Sequence, residues 1–251
     1  MSLKWLKSAT MMLAFWLSPS AQASISPGPI TLQAHDGVSI SALVYEARQQ
    51  PKGIMLLFHQ AGSSKAEYAT IAPRLAAAGF TALAIDQRSG GNLYGPNETV
   101  SRLGKPATYE DAKADLEAAL DWALPRHVPI ILWGSSYSAA LVFEVAAEHM
   151  NQVSAILAFS PGEYLDTSGA VAHAAAHVQV PIYVTSSSDT DEIQGGRMIL
   201  SAAPARVKTQ FVPKFGVHGS STLIAARNPR GAAENWDHVL AFLSALSKPP
   251  G

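Results

Sequence analysis

The sequence runs to 251 residues, 48% of them hydrophobic and only 15% charged, with a formal net charge of −1 and no cysteine. Such a balance suits one α/β domain with a sheet buried on both faces. It excludes a basic nucleic-acid-binding surface, because no run of Lys or Arg occurs, and it excludes disulfides, thiolate zinc sites and a cysteine nucleophile.

Lys4 and Lys7 precede an apolar stretch, Ala9 to Leu17. Ser18-Pro19-Ser20 then breaks the helix, and Ala21-Gln22-Ala23 supplies small residues for cleavage. This is the pattern of a secretory signal peptide over residues 1–23. The apolar run is too short to cross a hydrocarbon core of about 30 Å. The expectation is an exported protein, periplasmic or secreted, with no stable membrane anchor after cleavage. Residues 24–251 are expected to form a single domain.

Ile30 to Ala34 and Val38 to Ala47 alternate in polarity about Asp36-Gly37, predicting an edge hairpin. Gly53 to Phe58 is continuously apolar, as a strand buried on both faces should be. A helix with Pro73 near its first turn follows and ends at Gly79. Phe80 to Ile85 is the next buried strand. Residues 87–107, rich in Gly, Asn, Ser and Pro, predict a long functional loop. Thr108 and Asp111 open a helix to about Leu124. Ile130 to Trp133, Val153 to Phe159, Pro181 to Thr185 and Thr209 to Pro213 are strands. Helices alternate with them at Tyr137 to His149, about Asp191 to Leu200, and Ala232 to Leu246. The last carries Trp236, Val239, Leu240, Phe242 and Leu243 on one stripe. The alternation implies a mostly parallel sheet with right-handed crossovers and helices on both faces.

The chemistry centres on Gly134-Ser135-Ser136-Tyr137-Ser138, where a buried strand runs into a helix. Gly-x-Ser-x-Ser is close to the Gly-x-Ser-x-Gly nucleophile elbow, whose sharp turn needs small residues two before and two after the nucleophile. Ser136 then stands at a helix N-terminus, which favours a developing anion. By itself the pattern equally fits a turn capped by Ser135 or Ser136. A serine nucleophile needs a base, and in this chain order an acid and then a histidine should follow. Of eight histidines only His218 and His238 come late enough. His238 falls within an amphipathic helix, whereas His218 lies in a glycine-flanked loop after the last strand. The acid should follow strand 181–185. Asp189 is assigned, with Asp191 as runner-up. Asp191 and Glu192 read as first-turn residues that stabilise the helix dipole. The oxyanion hole is expected from the backbone amides of Tyr137 and Gln60. His59 is expected to bond the neighbouring loop. Asp86 and Arg88 are expected to pair and fix their loop.

On His59-Gln60-Ala61-Gly62, Asp86 to Gly91, the elbow, Asp189 and His218-Gly219, the chain resembles the α/β-hydrolase superfamily over about residues 30–246. Its small members similar to dienelactone hydrolases and bacterial esterases are the best match. The resemblance implies an eight-stranded, mostly parallel sheet with its second strand antiparallel. Dienelactone hydrolases carry a cysteine nucleophile, so that specific activity is not implied. A Ser136, Asp189, His218 triad and an acyl-enzyme mechanism are the expectation, with no cofactor and no metal. His173 and His177, four residues apart, read as surface histidines. Residues 160–180 leave no room for a sizeable lid. Leu93 and Tyr94 are expected to form one wall of an open site for small or short-chain esters. A peptidase or amidase with the same triad, and a non-catalytic binding protein on the same scaffold, are the rival readings. Oligomeric state stays open.

Overall fold

Four consecutive parallel strands are buried from end to end, which is why their sequences are unbroken apolar runs rather than alternations. They are β3 (Ile54–Phe58), β4 (Thr81–Ile85), β5 (Ile130–Ser135) and β6 (Ala155–Phe159). In the computed structural model, which describes residues 26–246, they form the middle of an eight-stranded sheet. The expected signal peptide at residues 1–23 lies outside the described residues. The hairpin β1 (Gly28–Gln33) and β2 (Ser39–Tyr45) flanks one side, and β7 (Ile182–Thr185) and β8 (Lys208–Phe211) the other. Strand order is β1-β2-β4-β3-β5-β6-β7-β8. β2 runs antiparallel to both β1 and β4, and all later pairings are parallel. The fold expected from the sequence is therefore the fold observed.

Alternate residues of each central strand serve opposite faces. Ile54, Leu56, Phe58, Leu132 and Ile156 pack against α3 (Lys113–Ala123) and α4 (Tyr137–Glu148). Met55, Leu57, Ile131, Trp133 and Leu157 pack against α1 (Ala72–Ala77) and α7 (Ala232–Leu246). Trp236, Val239, Phe242 and Leu243 form the buried stripe of α7. Among the described residues, no helix is long and apolar enough to cross a membrane.

Residues 87–107 depart from the expected loop, because α2 (Glu98–Leu103) folds within them. Asn97 caps it, its side chain accepting from the Val100 amide at 2.8 Å, and Gly104 closes it at φ +81°. Only Thr99 of this helix is buried, and it accepts the Ser41 amide of β2 at 2.9 Å. A two-turn helix held by polar bonds offers no apolar stripe to detect. Likewise, Thr108 and Asp111 bond reciprocally at 3.1 Å but close the turn ahead of α3 instead of starting the helix. Between β6 and β7 the only helix is the six-residue α5 (Ala170–Ala175).

Candidate active site

β5 delivers the chain to Ser136, whose φ of +60° and ψ of −124° lie outside the ordinary regions for an L residue. Strain of this kind costs on the order of 1–3 kcal/mol and persists only where its surroundings impose it. Here they do. A Cβ on Gly134 would come within 2.4 Å of the Ser138 carbonyl and 2.5 Å of the Ala139 Cα, so the turn closes only over glycine. Ser138 is more than a small residue. Its hydroxyl donates to the His59 carbonyl at 2.6 Å and accepts from Gln87 Nε2 at 2.8 Å. Gln87 Nε2 and the Ser89 hydroxyl both bond the Tyr137 hydroxyl at 2.7 Å, fixing the first turn of α4.

The Ser136 Oγ lies 2.8 Å from His218 Nε2, and His218 Nδ1 lies 2.8 Å from Glu192 Oε1. A carboxylate only accepts, so Nδ1 carries the proton and Nε2 is left to accept from the serine hydroxyl. The histidine loop reaches this position through two close passages. A Cβ on Gly216 would meet the Ser186 carbonyl at 2.7 Å, and one on Gly219, at φ +65°, would meet Ser135 Oγ at 2.5 Å. The Gly219 amide is then anchored by the Ser160 hydroxyl at 2.9 Å.

The acid on the ring is thus neither Asp189 nor Asp191 but Glu192. Asp189 is the N-cap of α6 (Thr190–Ala202), and one of its carboxylate oxygens accepts the Asp191 amide at 2.9 Å and the Glu192 amide at 3.4 Å. Spent on the helix start, it has no bond to His218. The signal was present in Asp189-Thr190-Asp191-Glu192, a capping-box pattern, in which a glutamate three residues past the cap folds back over the helix end. Glu192 does so. Its Oε2 accepts the Ser187 amide at 2.9 Å, which leaves Oε1 for the histidine. Burial would raise the Glu192 pKa, but the bonds from His218, the Ser160 hydroxyl and the Ser187 amide outweigh it and hold the group down to about 2.

Gln60 also departs from expectation. Its amide N–H donates to Glu67 Oε2 at 2.9 Å and so is engaged within the protein. The next amide, of Ala61, and that of Tyr137 donate to no acceptor among the described residues. The Gln60 side chain bonds Ser221 Oγ at 3.1 Å and reaches Tyr94 Oη at 3.5 Å, and Tyr94 Oη also bonds Ser221. Tyr94 therefore stands beside the oxyanion and histidine loops. Leu93 is anchored through its amide to the Gly62 carbonyl at 3.0 Å, but its side chain is exposed.

His59 is buried and structural. Its Nδ1 donates to the Gln60 carbonyl at 2.9 Å, and its Nε2 accepts the Gln87 amide at 3.0 Å. Burial lowers its pKa to about 4. Asp86 and Arg88 do not pair with each other. Asp86 accepts from the Lys65 side chain and from the Lys65 and Glu98 amides, whereas Arg88 bonds Asp36 and Asp115. His173 and His177 are exposed, their rings 5.3 Å apart, beside a cavity of about 580 Å³ that Glu144 and Glu148 of α4 also line.

Residues 49–194 match the sequence profile of a family described as serine aminopeptidase, S33. No curated protein matches the chain. Among solved structures, a dienelactone hydrolase from Anabaena variabilis superposes with a TM-score of 0.69 at 18% identity, covering 88% of this chain and 98% of that one. A carboxyl esterase from Bacillus coagulans does so at 0.66 and 13% identity, covering 89% and 100%. An acylaminoacyl peptidase from Pyrococcus horikoshii matches at 0.69 and 13% identity over 92% of this chain and 43% of its own.

Proposed function

The chain belongs to the α/β-hydrolase family described as serine aminopeptidase, S33, and on that footing we propose that it is a serine esterase, cleaving small or short-chain carboxylic esters through an acyl-enzyme on Ser136. The observation that carries this reading is the unbroken line of bonds from Ser136 through His218 to Glu192, at 2.8 Å each. As Oγ attacks the ester carbonyl, its proton passes to His218 Nε2. Glu192 keeps its negative charge and stabilises the imidazolium without taking that proton. The oxyanion is held by the amides of Tyr137 and, in place of the engaged Gln60 amide, Ala61. His218 returns the proton to the leaving alcohol oxygen. Water then repeats the sequence and frees the acid and Ser136. The His218 side chain is 40% exposed and the β6–β7 segment is short, which supports an open site for small substrates. The leader-like residues 1–23 support export.

A second reading, amide or peptide cleavage by the same residues, is favoured by the description of the family. Turnover of p-nitrophenyl acetate and butyrate beside aminoacyl p-nitroanilides separates the two. We expect ester hydrolysis to dominate and a fluorophosphonate to label Ser136. Efficient anilide cleavage with negligible ester turnover would replace the esterase reading. An absence of both turnover and labelling would leave a binding protein. Ser136→Ala and His218→Ala should each lower kcat by roughly 10⁴- to 10⁶-fold, and the double variant should be little worse, because the residues act as a unit.

A further inference from the structure

Glu67 stands outside the relay from Ser136 to Glu192, yet it touches everything around it. It lies in the short 3-10 turn Lys65–Tyr68 and is 1% exposed. One carboxyl oxygen accepts the Gln60 amide at 2.9 Å and the other the Ser135 hydroxyl at 2.8 Å. Ser135 Oγ in turn accepts the Ser220 amide at 2.8 Å. Gln60 immediately precedes Ala61, Ser135 immediately precedes the nucleophile, and Ser220 follows the base by two residues. A single side chain therefore joins the oxyanion loop, the elbow and the histidine loop.

The turn that carries it is itself pinned. Ser64 caps the turn and donates to the Gly95 carbonyl at 2.9 Å, the Lys65 amide donates to Asp86 at 2.8 Å, and the Tyr68 hydroxyl donates to the Phe58 carbonyl at 2.7 Å. Among the described residues, no bond to Lys or Arg offsets the burial of this acid. An apolar residue there would avoid the cost of burying a carboxylate but would leave the Gln60 amide and the Ser135 hydroxyl without an acceptor. Burial disfavours its charged form and raises its pKa to about 7. A costly group kept at the junction of three functional segments has a use at that junction.

We propose that Glu67 is a positioning residue for the reaction, which sets the oxyanion loop against Ser136 by holding the Gln60 amide and so turning the Ala61 amide towards the reacting carbonyl. The proposal rests on the esterase reading above. It predicts a defect confined to the transition state, since the loop it sets contributes to charge that develops only there.

The test uses the full chain with Glu67→Ala, Glu67→Gln and Glu67→Leu, assayed on p-nitrophenyl butyrate and with a boronic acid that forms a tetrahedral adduct on serine. Wild-type turnover and fluorophosphonate labelling are measured first. If the wild type fails both, the esterase reading falls. If it passes, every later outcome concerns Glu67 alone. In Glu67→Ala we expect kcat to fall on the order of 10- to 100-fold, with KM within about twofold and boronic acid affinity falling in step with kcat/KM. Glu67→Gln, whose amide oxygen can still accept the Gln60 N–H, should recover most of the loss. Should Glu67→Ala not fold, the comparison moves to Glu67→Gln and to Glu67→Leu, which fills the same space without an acceptor and should show the same losses of kcat and of boronic acid affinity expected of the alanine variant. Wild-type kcat in a folded Glu67→Ala or Glu67→Leu, a rise in KM alone, or a Glu67→Gln as impaired as the apolar variants would each overturn the proposal.

Discussion

Two glutamates lie close to the same serine and histidine, and their surroundings drive them in opposite directions. Glu192 works against burial, yet the histidine, a serine hydroxyl and a backbone amide hold its pKa down to about 2. Glu67 receives a comparable set of donors from Gln60, Ser135 and Ser63, and burial still carries its pKa up to about 7. The number of hydrogen bonds does not separate them. The differences are that the Glu192 side chain keeps 22% of its surface in solvent and bonds directly to a ring that can become a cation. Glu67 has neither. One residue type thus supplies a fixed negative charge facing the imidazole and, at Glu67, a tie whose charged form burial disfavours.

The largest effect expected at the two glutamates breaks the first half of that contrast. Glu192→Gln presents an amide N–H that can donate to His218 Nδ1. That bond moves the ring proton to Nε2, where it can no longer accept from Ser136. Loss of kcat should be on the order of 10³- to 10⁴-fold, with little change in thermal stability. Asp189→Asn should keep turnover within about tenfold of wild type. Steady-state kinetics of the two variants decide the matter. Collapse in Asp189→Asn together with near-normal turnover in Glu192→Gln would return the acid to the position first expected from the sequence.

That misplacement shows what the sequence held and what it did not. The sheet was legible because β3 to β6 are buried on both faces and are written as unbroken apolar runs. Ser136 was legible because the steric demand at Gly134 is local, confined to five residues. His218 followed from chain order and its flanking glycines. The acid required knowing which of three neighbouring carboxylates the helix start would consume. The first, Asp189, reads as free from its place at the loop tip, but its position at the N-cap commits it to backbone amides. Glu67 and the engaged Gln60 amide were out of reach for another reason. Their contacts join residues 7 and 68 positions apart, and no periodicity or short motif encodes such pairings. The helix α2 escaped notice because polar bonds hold it, not an apolar stripe.

The second half of the contrast is tested by stability against pH. A carboxyl whose pKa rises from 4.5 to about 7 on folding binds its proton more tightly in the native state. Its stabilising contribution is complete below pH 4.5 and is lost as pH rises towards 7. Glu192 has the opposite sign, since its contribution is present above pH 4.5 and is lost as pH falls towards 2. Asp115, raised to about 6 by burial, adds to the Glu67 slope, while His59, lowered to about 4, opposes it. Subtracting wild-type from Glu67→Gln denaturation curves removes these shared terms. The variant should gain on wild type by at most about 3 kcal/mol between pH 5 and 8. A difference that stays flat with pH would mean that Glu67 is not held near neutrality by its burial, and the two glutamates would no longer be opposites.

The smallest effect sharpens the comparison by asking how far Glu192 depends on the helix start that orients it. Asp189→Ala removes the acceptor of the Asp191 and Glu192 amides, and lost caps cost typically about 1 kcal/mol. In a domain of this size that is a fall in Tm of roughly 2–4 °C. The Glu192 carboxylate, however, also holds the Ser187 amide, and Ser188 ties the same loop to the carbonyls of Pro213 and Lys214 at 3.1 and 3.2 Å. With those restraints intact the glutamate should stay on the ring, so kcat should fall by less than about tenfold while Tm falls as stated. If thermal unfolding is unchanged but kcat drops a hundredfold, Asp189 acts on the chemistry rather than on the helix. If both fall steeply, the seat of Glu192 on the ring depends on the helix start more than on the Ser187 and Ser188 restraints.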